Sequence, residues 1–392
     1  MLRIFYLMIV LLFSACAFSP YKIAMRAKID DINIKNTIQA ISVKTHQDFH
    51  DNEFIPSSDI PENIIFIIAD GTGIGQYTLL YYYQNNFAFS RFDHIGLVTT
   101  HPMCQTSCLN ENKKVTDSAS SGTALATGQK TYNGAIGVDL DTNKIKTIIE
   151  WSEDKGMSTG LVATSTVTHA TPASFIAHVD YRKKEKEIAT QMAASPVDVI
   201  FGGGLKFWSD SDISTFKLNN GIFIDKFDSE LTTNKRVLGL FAEGALKPVH
   251  NNREVSTTNM AKKAIELLEK NHNGFFIMIE ESQVDWGGHA NSVDYIANEM
   301  SSLNDLVNYC LDYQQKNPKT LVVLTSDHEC GGLSIHDGSN GSINGRFTSD
   351  YHSANFVPVF STGPGSEVFD GFLDNTQIGK QLIYFVKKKQ IN

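Results

Sequence analysis

Three apolar runs in this sequence each lead into a carboxylate. "NIIFIIA" is followed by Asp70, "GFFIMI" by Glu280 and "TLVVLTS" by Asp327. Histidines lie close behind. "VDWGGHAN" places Asp285 and His289 four residues apart, so one helical turn puts both on one face. "TSDHECGG" sets His328 directly after Asp327, and "DYHSANFVPVF" offers His352 just ahead of another strand-like run. Mixed Asp/His donors suit zinc, whereas oxygen-rich clusters suit magnesium. A single acid at the end of an apolar run most simply opens a turn or caps a helix. Three of them, with histidines in train, point instead to donors converging on cations. His178 and His336 lack such spacing and are expected to be packed or exposed.

The stretch "VTDSASSGTALATG", Val115 to Gly128, places Ser118 directly after Asp117, where a helix of small residues would begin. A helix N-terminus presents unpaired N–H groups and a positive dipole end, which favour an anionic nucleophile and an arriving phosphate. Serine is a weak nucleophile unless a base or a metal activates it. No histidine lies nearby in sequence and there is no G-x-S-x-G elbow, so metal activation is the economical route. The simpler alternative is that Ser118 only caps its helix. Gly71, Gly73 and Gly75 lack the third glycine of a dinucleotide fingerprint, and Gly202 to Gly204 read as a turn, so no nucleotide site is expected.

The elements that must position these residues alternate. "GLVATS" and "VDVIFGGG" add further strand-like runs, and "TTNMAKKAIELLEK" carries Met260, Ala264, Leu267 and Leu268 on one helical face. Strands alternating with helices imply an α/β fold: a central, mostly parallel sheet with helices on both faces. In open sheets of this kind ligands bind beyond the carboxyl ends of the strands, where Asp70, Glu280 and Asp327 fall. We expect one catalytic domain over residues 62–392, with a loop-rich insertion around 206–252 and a linker over 20–61. The formal charge of −9 argues against a nucleic-acid partner.

Arg3, an apolar run of ten residues and "SACA" have the layout of an export signal over residues 1–19. Cys16 after "LFSA" resembles a lipoprotein box, while Ala15 and Ala17 equally allow ordinary cleavage. The protein is therefore expected in the periplasm or anchored to the outer membrane. Export permits disulfides, and Cys104 with Cys108 can close a small loop, while Cys310 and Cys330 are expected as buried thiols.

Seven segments, "IIADGTG", "VTDSASSGTALATG", "YNGAIGVD", "HATPASFIAHVDYR", "IEESQVDWGGHAN", "TSDHECGG" and "YHSANFVPVF", resemble successive motifs of the alkaline phosphatase family. They occur in family order across about three quarters of the chain. The resemblance implies hydrolysis of small phosphomonoesters through a phosphoserine, with Ser118 as nucleophile, two Zn2+ and a third, usually Mg2+, site. It implies Asp285, His289 and His352 at the first zinc, and Asp70, Asp327 and His328 at the second. Thr171 and Glu280 would join Asp70 at the third site, although Thr171 before Pro172 is also a plain helix start. Arg182 matches the family's phosphate clamp and Asp117 the acid that orients it, and a homodimer is expected.

Two positions depart from part of the family. His169 and Trp286 stand where some members carry aspartate and lysine, which bears on the third site and its surroundings. The short interval from His328 to His352 leaves no room for a large dimer-embracing crown there. A sulfatase is disfavoured by the missing C-x-P-x-R signature, and a diesterase by Arg182, which suits a dianionic monoester. A phosphate-binding lipoprotein without turnover would lack a ligand or the nucleophile, and none is missing.

Overall fold

The apolar run Asn63–Ala69 forms β1, and its alternate side chains enter two separate cores. Ile64, Phe66 and Ile68 point to one face, Ile65, Ile67 and Ala69 to the other. A strand apolar on both faces belongs in the middle of a covered sheet. The computed structural model describes residues 57–103 and 114–389. The expected signal over 1–19 with Cys16, almost all of the 20–61 linker, and Cys104 and Cys108 lie outside the described residues.

In chain order the elements are β1, α1 (Ile74–Tyr83), β2 (His94–Thr99), α2 (Ser118–Thr127), α3 (Ile148–Asp154), β3 (Ser158–Thr166), the one-turn α4 (Ala170–Ala173), α5 (Glu185–Ala194), β4 (Val199–Gly203) and α6 (Asp210–Leu218). There follow β5 (Gly221–Ile224), β6 (Arg236–Leu240), α7 (Thr257–Leu268), β7 (Phe275–Glu281), α8 (Gln283–His289), α9 (Val293–Lys316), β8 (Thr320–Thr325), β9 (Glu329–Cys330) and β10 (Ser334–Asp337). The chain then continues through β11 (Ile343–Arg346), β12 (His352–Ser353), β13 (Val357–Thr362), β14 (Gly371–Asp374) and α10 (Asn375–Lys388).

Ten strands form one sheet in the order β14-β2-β13-β8-β1-β7-β3-β4-β6-β5. All neighbours are parallel except β13, which runs antiparallel to β8 and β2. One core is closed by Leu125 of α2, Ile148 of α3, Met192 of α5 and Leu382 of α10. The other is closed by Leu80 of α1, Met260 and Ala264 of α7, and Met300, Leu303 and Leu306 of α9. Each large aliphatic chain buried in this way contributes about 1.5–3 kcal/mol. The expected mostly parallel sheet with helices on both faces is what forms.

The 206–252 segment is more regular than expected. It contributes α6 and two strands, β5 and β6, which extend the sheet at one edge. These strands are only four and five residues long, too short for periodicity to reveal them. Irregular chain survives at 225–235, 241–248 and 252–256, with a single 3-10 turn over Val249–Asn251 between the last two. Between His328 and His352 only the small β10–β11 hairpin projects, in keeping with the short interval.

Candidate active site

Parallel strands end on one side of the sheet, and the acids that close them meet there. β1 and β7 pair so that Ile68 lies beside Glu280, and β8 flanks β1 on its other side. Asp70, Glu280 and Asp327 are all fully buried. Gly71 follows Asp70 at φ +73°, and a Cβ there would lie 2.4 Å from the Asp285 backbone, so only glycine lets α8 approach.

Three groups of donors result. In α8, Asp285 and His289 sit one turn apart, with Asp285 Oδ2 3.4 Å from His289 Nε2. His352 on β12 brings its Nε2 to 3.2 Å from His289 Nε2 and 3.4 Å from Asp285 Oδ1. Donors ~2.0–2.1 Å from a tetrahedral zinc sit ~3.3–3.4 Å apart, so these three edges fit one ion. Each histidine is fixed through its other nitrogen. His289 Nδ1 donates to the Asp350 carbonyl at 2.7 Å, and His352 Nδ1 to the Thr116 carbonyl at 2.9 Å, aiming both Nε2 atoms inward.

The second group is Asp70, Asp327 and His328. His328 Nε2 lies 3.6 Å from Asp70 Oδ1, 3.2 Å from Asp327 Oδ2 and 3.3 Å from the Ser118 hydroxyl. The third group joins Asp70 to His169 and Glu280, so Asp70 is shared between two groups. Thr171, on α4, is buried, and its hydroxyl has no hydrogen-bond partner.

The electrostatics explain what these groups lack. Twelve buried side-chain polar atoms among the described residues have no hydrogen-bond partner, and eight of them belong to Asp70, His169, Thr171, Glu280, Asp285, Asp327 and His328. Native interiors rarely leave such atoms unpaired. Burial, reinforced by neighbouring carboxylates, drives the Asp70 carboxyl well above its usual range and that of Asp327 up to about 6. Burial likewise raises Glu280 to about 7, against hydrogen bonds from Ser282 and Ser165. Asp285 behaves oppositely: burial opposes its charge, but His289 and His352 hold it well below the usual range. In return, its hydrogen bond lifts His289 to about 9. Buried carboxyls that resist ionisation together are places a divalent cation can take, and the donor set fits zinc in the first two groups and a harder ion in the oxygen-rich third.

Ser118 opens α2, whose N-cap is Asp117 accepting from the Ser120 amide at 3.0 Å. The small residues of α2 serve packing: a Cβ at Gly122 would meet Ser174 and Thr171 at 3.1–3.3 Å. Asp117 also accepts from Arg182 Nη1 at 3.1 Å, which, with further hydrogen bonds, holds its carboxyl below the usual range despite burial. Arg182 Nη2 donates at 3.1 Å to His169 Nε2, and burial together with Arg182 pushes His169 down to about 3. The indole of half-buried Trp286 meets the His169 ring edge-on at 6.3 Å. The acids, histidines, Ser118, Thr171, Arg182 and Trp286 expected to act together thus lie close to one another at this end of the sheet.

Several partners were not legible beforehand. Ser165 and Ser282 both donate to Glu280 Oε2, and Asn133 accepts from the Asp117 amide at 3.1 Å. Cys330, read as a plain buried thiol, is indeed free and buried, but its sulfur joins Asp285, His289 and His352 in the first group. The pairing of β9 with β12 decides this, and two-residue strands leave no pattern. His178 bonds to the Gly137 carbonyl and Glu150 away from the site, and His336 is exposed.

Known proteins resemble this chain in sequence and in fold. The alkaline phosphatase family model matches residues 61–226 and 224–344. Alkaline phosphatase 3 of Bacillus subtilis is 35% identical over 355 residues, covering 86% of this chain and 73% of its own length. The alkaline phosphatase of the Antarctic bacterium TAB5 superposes with a TM-score of 0.79 at 36% identity, covering 85% of this chain and 99% of its own. A histidine-to-glutamate variant of that enzyme, with magnesium bound in its M3 site, superposes with a TM-score of 0.78 at 35% identity over the same shares. The family model spans most of the chain and the relatives match it in sequence and fold, so the chain belongs to the alkaline phosphatases, metal-dependent hydrolases of phosphate monoesters.

Proposed function

We propose that hydrolysis runs in two displacements through a phosphoserine at Ser118, in a site holding two zinc ions and one magnesium. The observation that carries this reading is the 3.3 Å approach of the Ser118 hydroxyl to His328 Nε2, among buried donor atoms that lack partners. Asp285, His289 and His352 hold the first zinc, and Asp70, Asp327 and His328 the second. Asp70, Thr171 and Glu280 hold the third ion, with His169 against it; magnesium in the M3 site of the Antarctic enzyme's variant supports that choice. Bound zinc would lower the serine's pKa and stabilise charge on the attacking and leaving oxygens.

The chain's own groups do the rest. Ser118 Oγ bonds to phosphorus as the bond to the alcohol oxygen breaks, and the alcohol departs. Arg182, braced by Asp117 and His169, grips two phosphoryl oxygens with its planar fork, a grip suited to a dianionic monoester. The N-terminal amides of α2 favour the same charge. Water then displaces Ser118 from phosphorus, and inorganic phosphate leaves.

Ser118→Ala tests the assignment: metal content and thermal unfolding should match the parent while turnover of an aryl phosphate falls by several orders of magnitude. Near-parental turnover would remove Ser118 from the role. The matching diester and sulfate should be poor substrates. On the same reading the protein is exported by residues 1–19, anchored where Cys16 is lipidated, and works as a homodimer.

A further inference from the structure

The two described cysteines have different surroundings. Cys310 lies on α9 inside an apolar core, whereas Cys330 lies between acids and imidazoles. The β9–β12 pairing sets Cys330 directly across from His352, which places both side chains on one face of the ladder. The backbone there is pinned, with the Cys330 amide donating to the Gly71 carbonyl and the Gly331 amide to the Tyr351 carbonyl, both at 3.0 Å. Below the thiol, α8 has no side chain: a Cβ at Gly288 would lie 2.9 Å from the sulfur. The sulfur, Asp285, His289 and His352 each offer one donor atom, all within 4.8 Å of one another. Independently, Asp285 Oδ1 is buried in this group without a hydrogen-bond partner.

We propose that Cys330 Sγ is a fourth protein donor to the cation held by Asp285, His289 and His352, making this site selective for zinc over harder divalent ions. The inference rests on the metal-dependent reading above and adds a ligand to it. Binding converts the thiol to thiolate and releases its proton to solvent. Thiolate favours zinc, whereas oxygen donors suit magnesium, calcium and manganese. Four protein donors still leave room for a fifth ligand, since zinc is known to accept five-coordination in some sites.

Zinc-edge X-ray absorption on the zinc-loaded full chain tests this. A sulfur shell at about 2.3 Å is expected, together with a thiolate-to-metal charge-transfer band when cobalt(II) replaces zinc. Both signals should vanish in Cys330→Ser, and zinc affinity of one site should fall at least about tenfold. Zinc bound in full with only nitrogen and oxygen neighbours overturns the proposal, as does a sulfur signal that persists in Cys330→Ser. Either result leaves the metal-dependent reading intact, whereas a fully active protein that binds no metal ends both. Cys330→Ala serves as a second variant. Should neither fold, a chain with Cys330 as its sole cysteine decides by the presence or absence of the same signals.

Discussion

Glu280 and Glu281 are neighbours on β7, both fully buried, and they have opposite fates. Strand alternation sends Glu281 to the α7–α9 side, where Arg253 Nη1 meets it at 2.8 Å, the Thr257 hydroxyl at 2.6 Å and the Ser302 hydroxyl at 3.0 Å. Arg253 also meets Glu299 at 2.5 Å, and burial with the Glu281 charge pushes Glu299 up to about 8. That cluster therefore balances its own charge near neutral pH. Glu280 faces the other side, toward Asp70, with hydroxyls on one oxygen and nothing on the other. One carboxylate is completed by the protein and serves the fold. The other is left incomplete beside other acids, as a cation site requires. Burial alone does not distinguish structure from function; the unmet valence does.

The comparison breaks most visibly by mutation. Glu281→Gln should destabilise the protein by about 3–5 kcal/mol, since it removes one partner from a buried ionic cluster. Metal content per folded molecule should stay the same. Glu280→Gln should leave the metal-free protein as stable as the parent or more so, while lowering metal occupancy. Equal losses of Tm in both variants would erase the distinction.

Removing the metals should expose a pH dependence from the Glu280 side, over and above that of Glu299. Asp70, Asp327 and Glu280 have folded pKa values raised above the ordinary 3.8 to 4.5, with Asp327 at about 6 and Glu280 at about 7. The stability that these three carboxyls contribute to the metal-free fold is fully present near pH 4 and is lost as pH rises through about 6 and 7. Neutral His169, held down to about 3, acts in the opposite sense below pH 6.5, and Glu299 acts with or without metal. The loss should therefore appear as a difference between the denaturant titrations of chelated parent and chelated Glu280→Gln. Identical pH profiles for the two would mean that Glu280 is not held apart from solvent as described.

The smallest effect belongs to the phosphate end of the site. Trp286 supplies shape against His169 but no charge. Trp286→Lys should tighten inhibition by inorganic phosphate by about tenfold, with slower turnover where product release limits the rate, because a charge-assisted contact contributes ~1.5–3 kcal/mol, less through water. An unchanged inhibition constant with intact metal content would confine Trp286 to packing.

Much of this was legible in order along the chain. Apolar runs ending in Asp70, Glu280 and Asp327 specify strands whose ends carry acids, because a period-free apolar segment bounded by polar residues must be covered on both faces. The four-residue spacing of Asp285 and His289 likewise specifies a shared helical face, a local geometric necessity. Ser118 after an Asp N-cap was readable for the same reason. What lies outside local periodicity was not readable. β5 and β6 are short edge strands whose pairing depends on the sheet already being there. His352 and Cys330 face each other through two-residue strands set by contacts over twenty residues apart. The sequence by itself determined the strand ends, the helix that presents the serine and the acids and histidines that gather beyond the strands. Only the tertiary structure decided how near the donors of each group lie, that Cys330 joins the first of them, and that Glu281 is satisfied while Glu280 is not. Those outcomes depend on distances between side chains from different elements, and no local pattern encodes them.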